Sequence, residues 1–268
     1  MNRYQKFALV VFAIGMIGLG VLALIYGDFA LVWQPVAAWV PGRTALAYAS
    51  GVLMLLCGIG LLFQATSWLA VRILFVYLIL WTLLKVPALV VAPQIEGVWL
   101  GIGELIMLLA GGWILFARLA RLKADSFWAF ATGEKSIRVA QILFGVFLIP
   151  IGLSHLMYAK GTADFVPAWL PYRLGWAYLT GVGQMACGLG VLFSILPRVA
   201  ATAEAIMVSL FTLLIWLPSI LHTPKARMSW TAFFVSWAFG AGAWVVASNL
   251  VTKRWSDLSS RSDVESSS

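Results

Sequence analysis

The chain has 268 residues, of which 62% are hydrophobic and only 10% charged, with a formal net charge of +8. A soluble globular domain is nearer half apolar and a quarter charged, so the composition describes an all-α polytopic membrane protein. The basic residues flank apolar runs and form no stripe interleaved with stacking aromatics, which argues against a nucleic-acid partner and for the lipid bilayer.

Arg3 and Lys6 precede the first apolar segment, Phe7–Tyr26. It is longer than a signal-peptide core and no convincing small-residue cleavage site follows, so it reads as a retained helix. A loop, Gly27–Ala45, leads to the second segment, Leu46–Phe63. The third is Leu69–Val91, with Arg72 and Lys85, and the fourth is Gly97–Ala117, with Glu104. A charged linker, Arg118–Ser136, follows. Its Phe127, Trp128 and Phe130 suit anchoring at lipid headgroups. The fifth segment is Ile137–Ala159, followed by a loop, Lys160–Arg173. The sixth is Leu174–Leu196, the seventh Val199–Leu221 and the eighth Ser229–Leu250. The tail, Val251–Ser268, has the serine-rich and acidic composition of a disordered segment. Because lipid cannot satisfy an open backbone, eight such runs predict eight transmembrane helices.

Trp39–Phe63 and Trp169–Phe193 align without a gap at 12 of 25 identical positions. Shared residues include Trp39/Trp169, Pro41/Pro171, Arg43/Arg173, Tyr48/Tyr178, Gly51/Gly181, Cys57/Cys187 and Gly58/Gly188. Such internal similarity marks a duplication. A unit of four helices is even, so both copies enter the membrane in the same direction and form parallel repeats. The expected organisation is a first repeat over 1–117, a cytoplasmic linker over 118–136, a second repeat over 137–250 and a cytoplasmic tail over 251–268. With the N-terminus inside, 12 basic residues fall on the inner face and 6 on the outer. This bias predicts an inner (plasma) membrane protein with both termini cytoplasmic.

Few residues carry chemistry. In the repeat, tryptophan, proline, tyrosine and glycines suit an interface anchor and a packing seam, leaving Arg43 and Arg173 as candidate binders of an anionic substrate or headgroup. Lys85 and Glu104 lie at similar depth on consecutive antiparallel helices and are expected to pair, as a structural clasp or as a proton or substrate relay. His155 and His222 are the only histidines. They could handle protons near a quinone or, less readily, ligate a b-type haem. Lys85, Glu104, His155 and His222 are thus the catalytic candidates. Cys57 and Cys187 read as small hydrophobes, or as a disulfide if their helices touch. Glu204, near the inner end of its helix, is placed to snorkel towards water. There is no P-loop, GxSxG, HExxH or CxxC, and no run of metal ligands.

Phe144–Phe193, FGVFLIPIGLSHLMYAKGTADFVPAWLPYRLGWAYLTGVGQMACGLGVLF, resembles the DoxX-like membrane proteins. These are four-helix units with a glycine-containing first helix, a loop ending in a proline motif and a tyrosine–glycine start to the second helix. The chain looks like two such units fused over about residues 7–250. In that family a glutamate often follows the tyrosine–glycine motif. Here that place holds Gln184, and Met54 in the first half. The resemblance implies a redox-associated membrane subunit handling a quinone or small sulfur compound, since some relatives belong to thiosulfate:quinone oxidoreductases. More distant relatives act in protein maturation or trafficking, which implies instead a non-catalytic chaperone or assembly factor with a partner protein. A small-molecule transporter using the cleft between the halves is a third class.

Overall fold

A computed structural model describes residues 1–31 and 33–250. The tail, with Lys253, Arg254 and Arg261 of the inner-face count, lies outside the described residues. The chain is all-helical: α1 (Arg3–Tyr26), α2 (Arg43–Leu61), α3 (Ser67–Val91), α4 (Glu96–Leu119), α5 (Gly133–Met157), α6 (Ala159–Phe165), α7 (Arg173–Leu192), α8 (Pro197–Phe211), α9 (Leu217–His222) and α10 (Arg227–Ser248). A π-helical turn, Thr212–Trp216, joins α8 to α9. Pro218 lies two residues past its end; it has no N–H to give to the preceding turn, and a widened turn is where such a helix absorbs the ring.

Among the described residues, seven helical stretches are long and apolar enough to cross a bilayer: α1 to α5, the continuous run Pro197–His222, and α10. The protein is therefore a helical membrane protein. α7, the second copy of the repeated stretch, is not among the seven. Arg173, Tyr178 and Gln184 lower its mean hydropathy, although its 20 residues span about 30 Å at a helical rise.

The helices pack as a closed circuit. α1 lies on α2, α2 on α3, α3 on α4, α4 on α5, α5 on α7, α7 on α8, α8 on α10, and α10 back on α1; α4 and α10 also meet. Lipid offers no hydrophobic drive between helices, so close backbone approach at small residues holds such a bundle. The α1–α2 and α5–α7 seams are built alike. A methyl group at Gly51 would stand 2.9 Å from Ala23 Cβ and 3.1 Å from Gly20 O; at Gly181 it would stand 3.0 Å from His155 Cβ and 2.8 Å from Gly152 O. Lower in the seams, one at Gly58 would meet Ala13 O at 2.9 Å, and one at Gly188 would meet Gly145 O at 2.6 Å. Between α4 and α10, a methyl at Gly111 would lie 2.7 Å from Gly242 Cα.

Two features outside the spans differ from expectation. The loop after α5 contains the short helix α6. In the linker, Trp128 is half-buried and packs edge-on against Phe75 of α3, with ring centroids 5.8 Å apart. Only Phe127 and Phe130 are left exposed as anchors. Within α2 and α7, Cys57 and Cys187 are both free thiols, one buried and one half-buried, which fits small hydrophobes and leaves no disulfide between them.

Candidate functional site

The loop after α1 carries one acid, Asp28, and the structure gathers two arginines on it. Arg43, the first residue of α2, forms an ion pair with its Oδ1, and Arg227, the first residue of α10, donates Nη1 to Oδ2 at 2.8 Å. Arg227 Nη2 also donates to Phe29 O at 2.6 Å. The two guanidinium groups sit over aromatic faces, Arg43 at 5.7 Å from the Phe29 centroid and Arg227 at 5.4 Å from that of Tyr26. Burial pushes the Asp28 carboxyl up, but hydrogen bonds from Arg227, the Phe29 N–H and Arg43 outweigh it and hold the group below the usual carboxylate range.

Arg43 also donates Nε to Val36 O at 3.1 Å, and Arg173 donates Nε to Val166 O at 3.0 Å. Each arginine thus staples the loop seven residues before it. The residue before each, Gly42 or Tyr172, has a left-handed backbone with φ of 67° or 55°. Arg173 adds a bond from Nη2 to Asp164 O at 3.0 Å. Both arginines keep part of their surface open, while the bonds above tie each of them to the chain itself.

Under the first loop, Gln34 is buried and its Nε2 donates to Ser50 Oγ at 3.1 Å and to Tyr77 Oη at 2.6 Å. Ser50 and Tyr77 are themselves 2.6 Å apart. This network fastens the loop to α2 and α3.

Lys85 does not form the predicted ion pair. Its Nζ donates to Gly101 O at 2.8 Å, one turn before Glu104 on α4, while the three ion pairs among the described residues lie elsewhere. Glu104 lies three residues further along α4.

The histidines go to different places. His155 Nδ1 lies 3.0 Å from Thr180 Oγ1, and its ring stacks on Phe211 with centroids 6.0 Å apart. Thr180 Oγ1 is also within reach of the carbonyls of Trp176 and Ala177; with its proton given to either, Nδ1 is the donor and Nε2 the basic nitrogen. His222 is exposed at the end of α9.

Glu204 does not snorkel. It is fully buried on α8 and accepts a hydrogen bond from Nε2 of buried Gln184 at 3.2 Å. Twenty residues of sequence separate them, and only the α7–α8 contact reveals the pair. The carboxyl that meets Gln184 comes from the neighbouring helix.

Between α1 and α10 lies an apolar groove of about 310 Å³ lined by Val21, Leu22, Ile25, Tyr26, Trp230 and Phe234. Tyr26 at its end carries the Arg227 guanidinium, so the groove runs up to the Asp28 cluster. No group of three or more metal-ligating side chains stands together among the described residues.

A family model described as a domain of unknown function (DUF8561) matches residues 144–215, from mid-α5 to the π turn. That stretch holds His155, Thr180, Gln184 and Glu204. No curated protein and no solved structure matches the chain.

Proposed function

We propose that the chain is a DoxX-like protein of the inner (plasma) membrane, made of two parallel four-helix repeats with eight spans and cytoplasmic termini. In this reading it serves as a redox-associated subunit that holds a quinone at its outer side. The 12 shared residues of the repeated stretch, the matched glycine seams and the paired arginine staples support the duplication. The length of α7 allows it to be the eighth span.

The observation that carries the ligand is the α1–α10 groove. It opens sideways between two helices, its walls are aliphatic and aromatic, and a guanidinium cluster stands at one end. An isoprenoid carrier fits that arrangement: the tail lies along Val21, Leu22 and Phe234, and the polar ring reaches Tyr26 and Arg227. The redox role itself rests on the DoxX-like resemblance.

A photoreactive quinone should label the C-terminal half of α1 and the N-terminal half of α10 in membranes. Val21→Trp, which fills the groove from an exposed position, should reduce that labelling several-fold. Equal labelling of all helices, or labelling no different from that by a photoreactive phospholipid, would remove the quinone.

A second reading, a non-catalytic assembly factor, is favoured by one specific observation. Arg43, Arg173 and Lys85 each bond to a carbonyl or carboxylate of the chain itself. Co-purification of one partner protein without quinone would favour it.

A further inference from the structure

Glu204 and Gln184 form a buried pair that the groove and the quinone reading do not use. Both residues are almost wholly enclosed, at 0% and 3% exposure. The contact joins Gln184 Nε2 to Glu204 Oε1 at 3.2 Å. Two oxygens are then left over, Glu204 Oε2 and Gln184 Oε1, and both are buried without a hydrogen-bond partner. No cation among the described residues lies within ion-pair distance of the carboxylate. Buried polar atoms are paired in nearly all native structures, and an orphan calls for an explanation.

The two orphans have a common solution. A carboxylic acid and a primary amide are both planar, and each presents one donor and one acceptor along one edge. The amide N–H already reaches the acid's first oxygen. A single proton on Oε2 makes that atom a donor, and the unpartnered amide oxygen of the same Gln184 is the acceptor such a pair would give it. One hydrogen therefore satisfies both orphans and removes an unpaired negative charge from the span, where such a charge is costly. No group of three histidine, cysteine, aspartate or glutamate side chains stands there among the described residues.

We propose that Glu204 and Gln184 are an intramembrane proton-binding site, in which Glu204 holds a proton in a closed acid–amide pair across α7 and α8. The other groups facing it leave that assignment in place. From α7 the titratable neighbour is Cys187, a free thiol one turn along. α10 and the π turn contribute hydroxyls, Ser236 and Thr212, that bond to each other at 2.8 Å. At the inner end of α8, Tyr4 reaches Thr202 at 3.2 Å and stacks under Arg198. In the first half, Met54 and Leu74 occupy the corresponding places and are buried, so only the second half carries the site.

Infrared difference spectroscopy of the full chain in lipid tests this directly. Wild type minus Glu204→Gln at neutral pH should show loss of one protonated-acid C=O band. Glu204→Gln keeps the shape and can form an amide–amide pair, so the fold should survive. In Gln184→Leu the band should persist but move to higher frequency, because the acid has lost its hydrogen-bonded edge. A difference spectrum showing loss of the two carboxylate bands instead would overturn the proposal. So would a Glu204 signal that switches from acid to carboxylate when Na⁺ replaces an organic cation, since the ligand would then be a metal ion. An acid band unmoved by Gln184→Leu would overturn the acid–amide pair.

Discussion

Asp28 holds together two arginines from opposite ends of the sequence, and its acid–base behaviour follows from that. The folded-state pKa lies below the ordinary value of 3.8. A depressed carboxylate stabilises the fold above its unfolded pKa, and that stabilisation is lost as pH falls through the folded value. Thermal unfolding in detergent should therefore show a decline below about pH 4 that Asp28→Asn lacks. At neutral pH the same variant should cost about 1–2 kcal/mol, because the cluster is partly exposed and water screens it. An unchanged acid limb in Asp28→Asn would show that Arg43 and Arg227 are held by other contacts. Arg43 stood out in the sequence because it recurs as Arg173. Asp28 did not, although it is the one acid in its loop, because its two partners lie 15 and 199 residues away. Glu204 was visible as a lone charge in an apolar run. Whether such a residue faces water or a neighbouring amide depends on helix rotation, which a short helix flanked by Pro197 and a π turn does not declare in its sequence pattern.

At the scale of the elements, glycine spacing was the most readable feature. The repeated Gly51, Gly58, Gly181 and Gly188 predicted a seam, and each is a point where a methyl group would meet the facing helix. Gly188→Ala would place that methyl 2.6 Å from Gly145 O, a backbone atom that cannot swing aside. It should cost about 1–3 kcal/mol through forced separation of α5 and α7. Gly58→Ala, at 2.9 Å from Ala13 O, should cost a similar or slightly smaller amount. Gly161→Ala, in α6 with nothing near its Cβ position, should be neutral or mildly stabilising, since alanine is the better helix former. Unfolding in mixed micelles by a denaturing detergent would rank the three. Equal losses would mean that glycine flexibility, and not close approach, sets the effect. The spans themselves were readable as apolar runs. The π turn and α6 were not, because each interrupts or follows a run without changing its hydropathy.

On the scale of the whole molecule, sequence similarity divides the chain in two, while the packing crosses the division. α4 lies on α5 and α10, and α10 lies on α1. Trp237 of α10 donates its indole N–H to Val11 O at 2.9 Å, Arg227 reaches Asp28, and Tyr4 reaches Thr202. The first and last helices of each half thus find much of their packing surface on the other half. A duplication read from sequence cannot announce this, because identical repeats could equally fold as two separate bundles. The consequence is measurable. If the chain is cut in the exposed part of the linker, between Ala124 and Asp125, fragments 1–124 and 125–268 should co-purify when expressed together with a tag on either one. Each expressed alone should be degraded or recovered as aggregate, since α1 would lack α10 and α4 would lack both α5 and α10. Adding Gly242→Leu, which drives a large side chain into the backbone of α4 near Met107, should abolish co-purification of fragments that wild-type sequences support. Two fragments that are each stable, monomeric and helical in detergent would instead establish two independent bundles that merely touch.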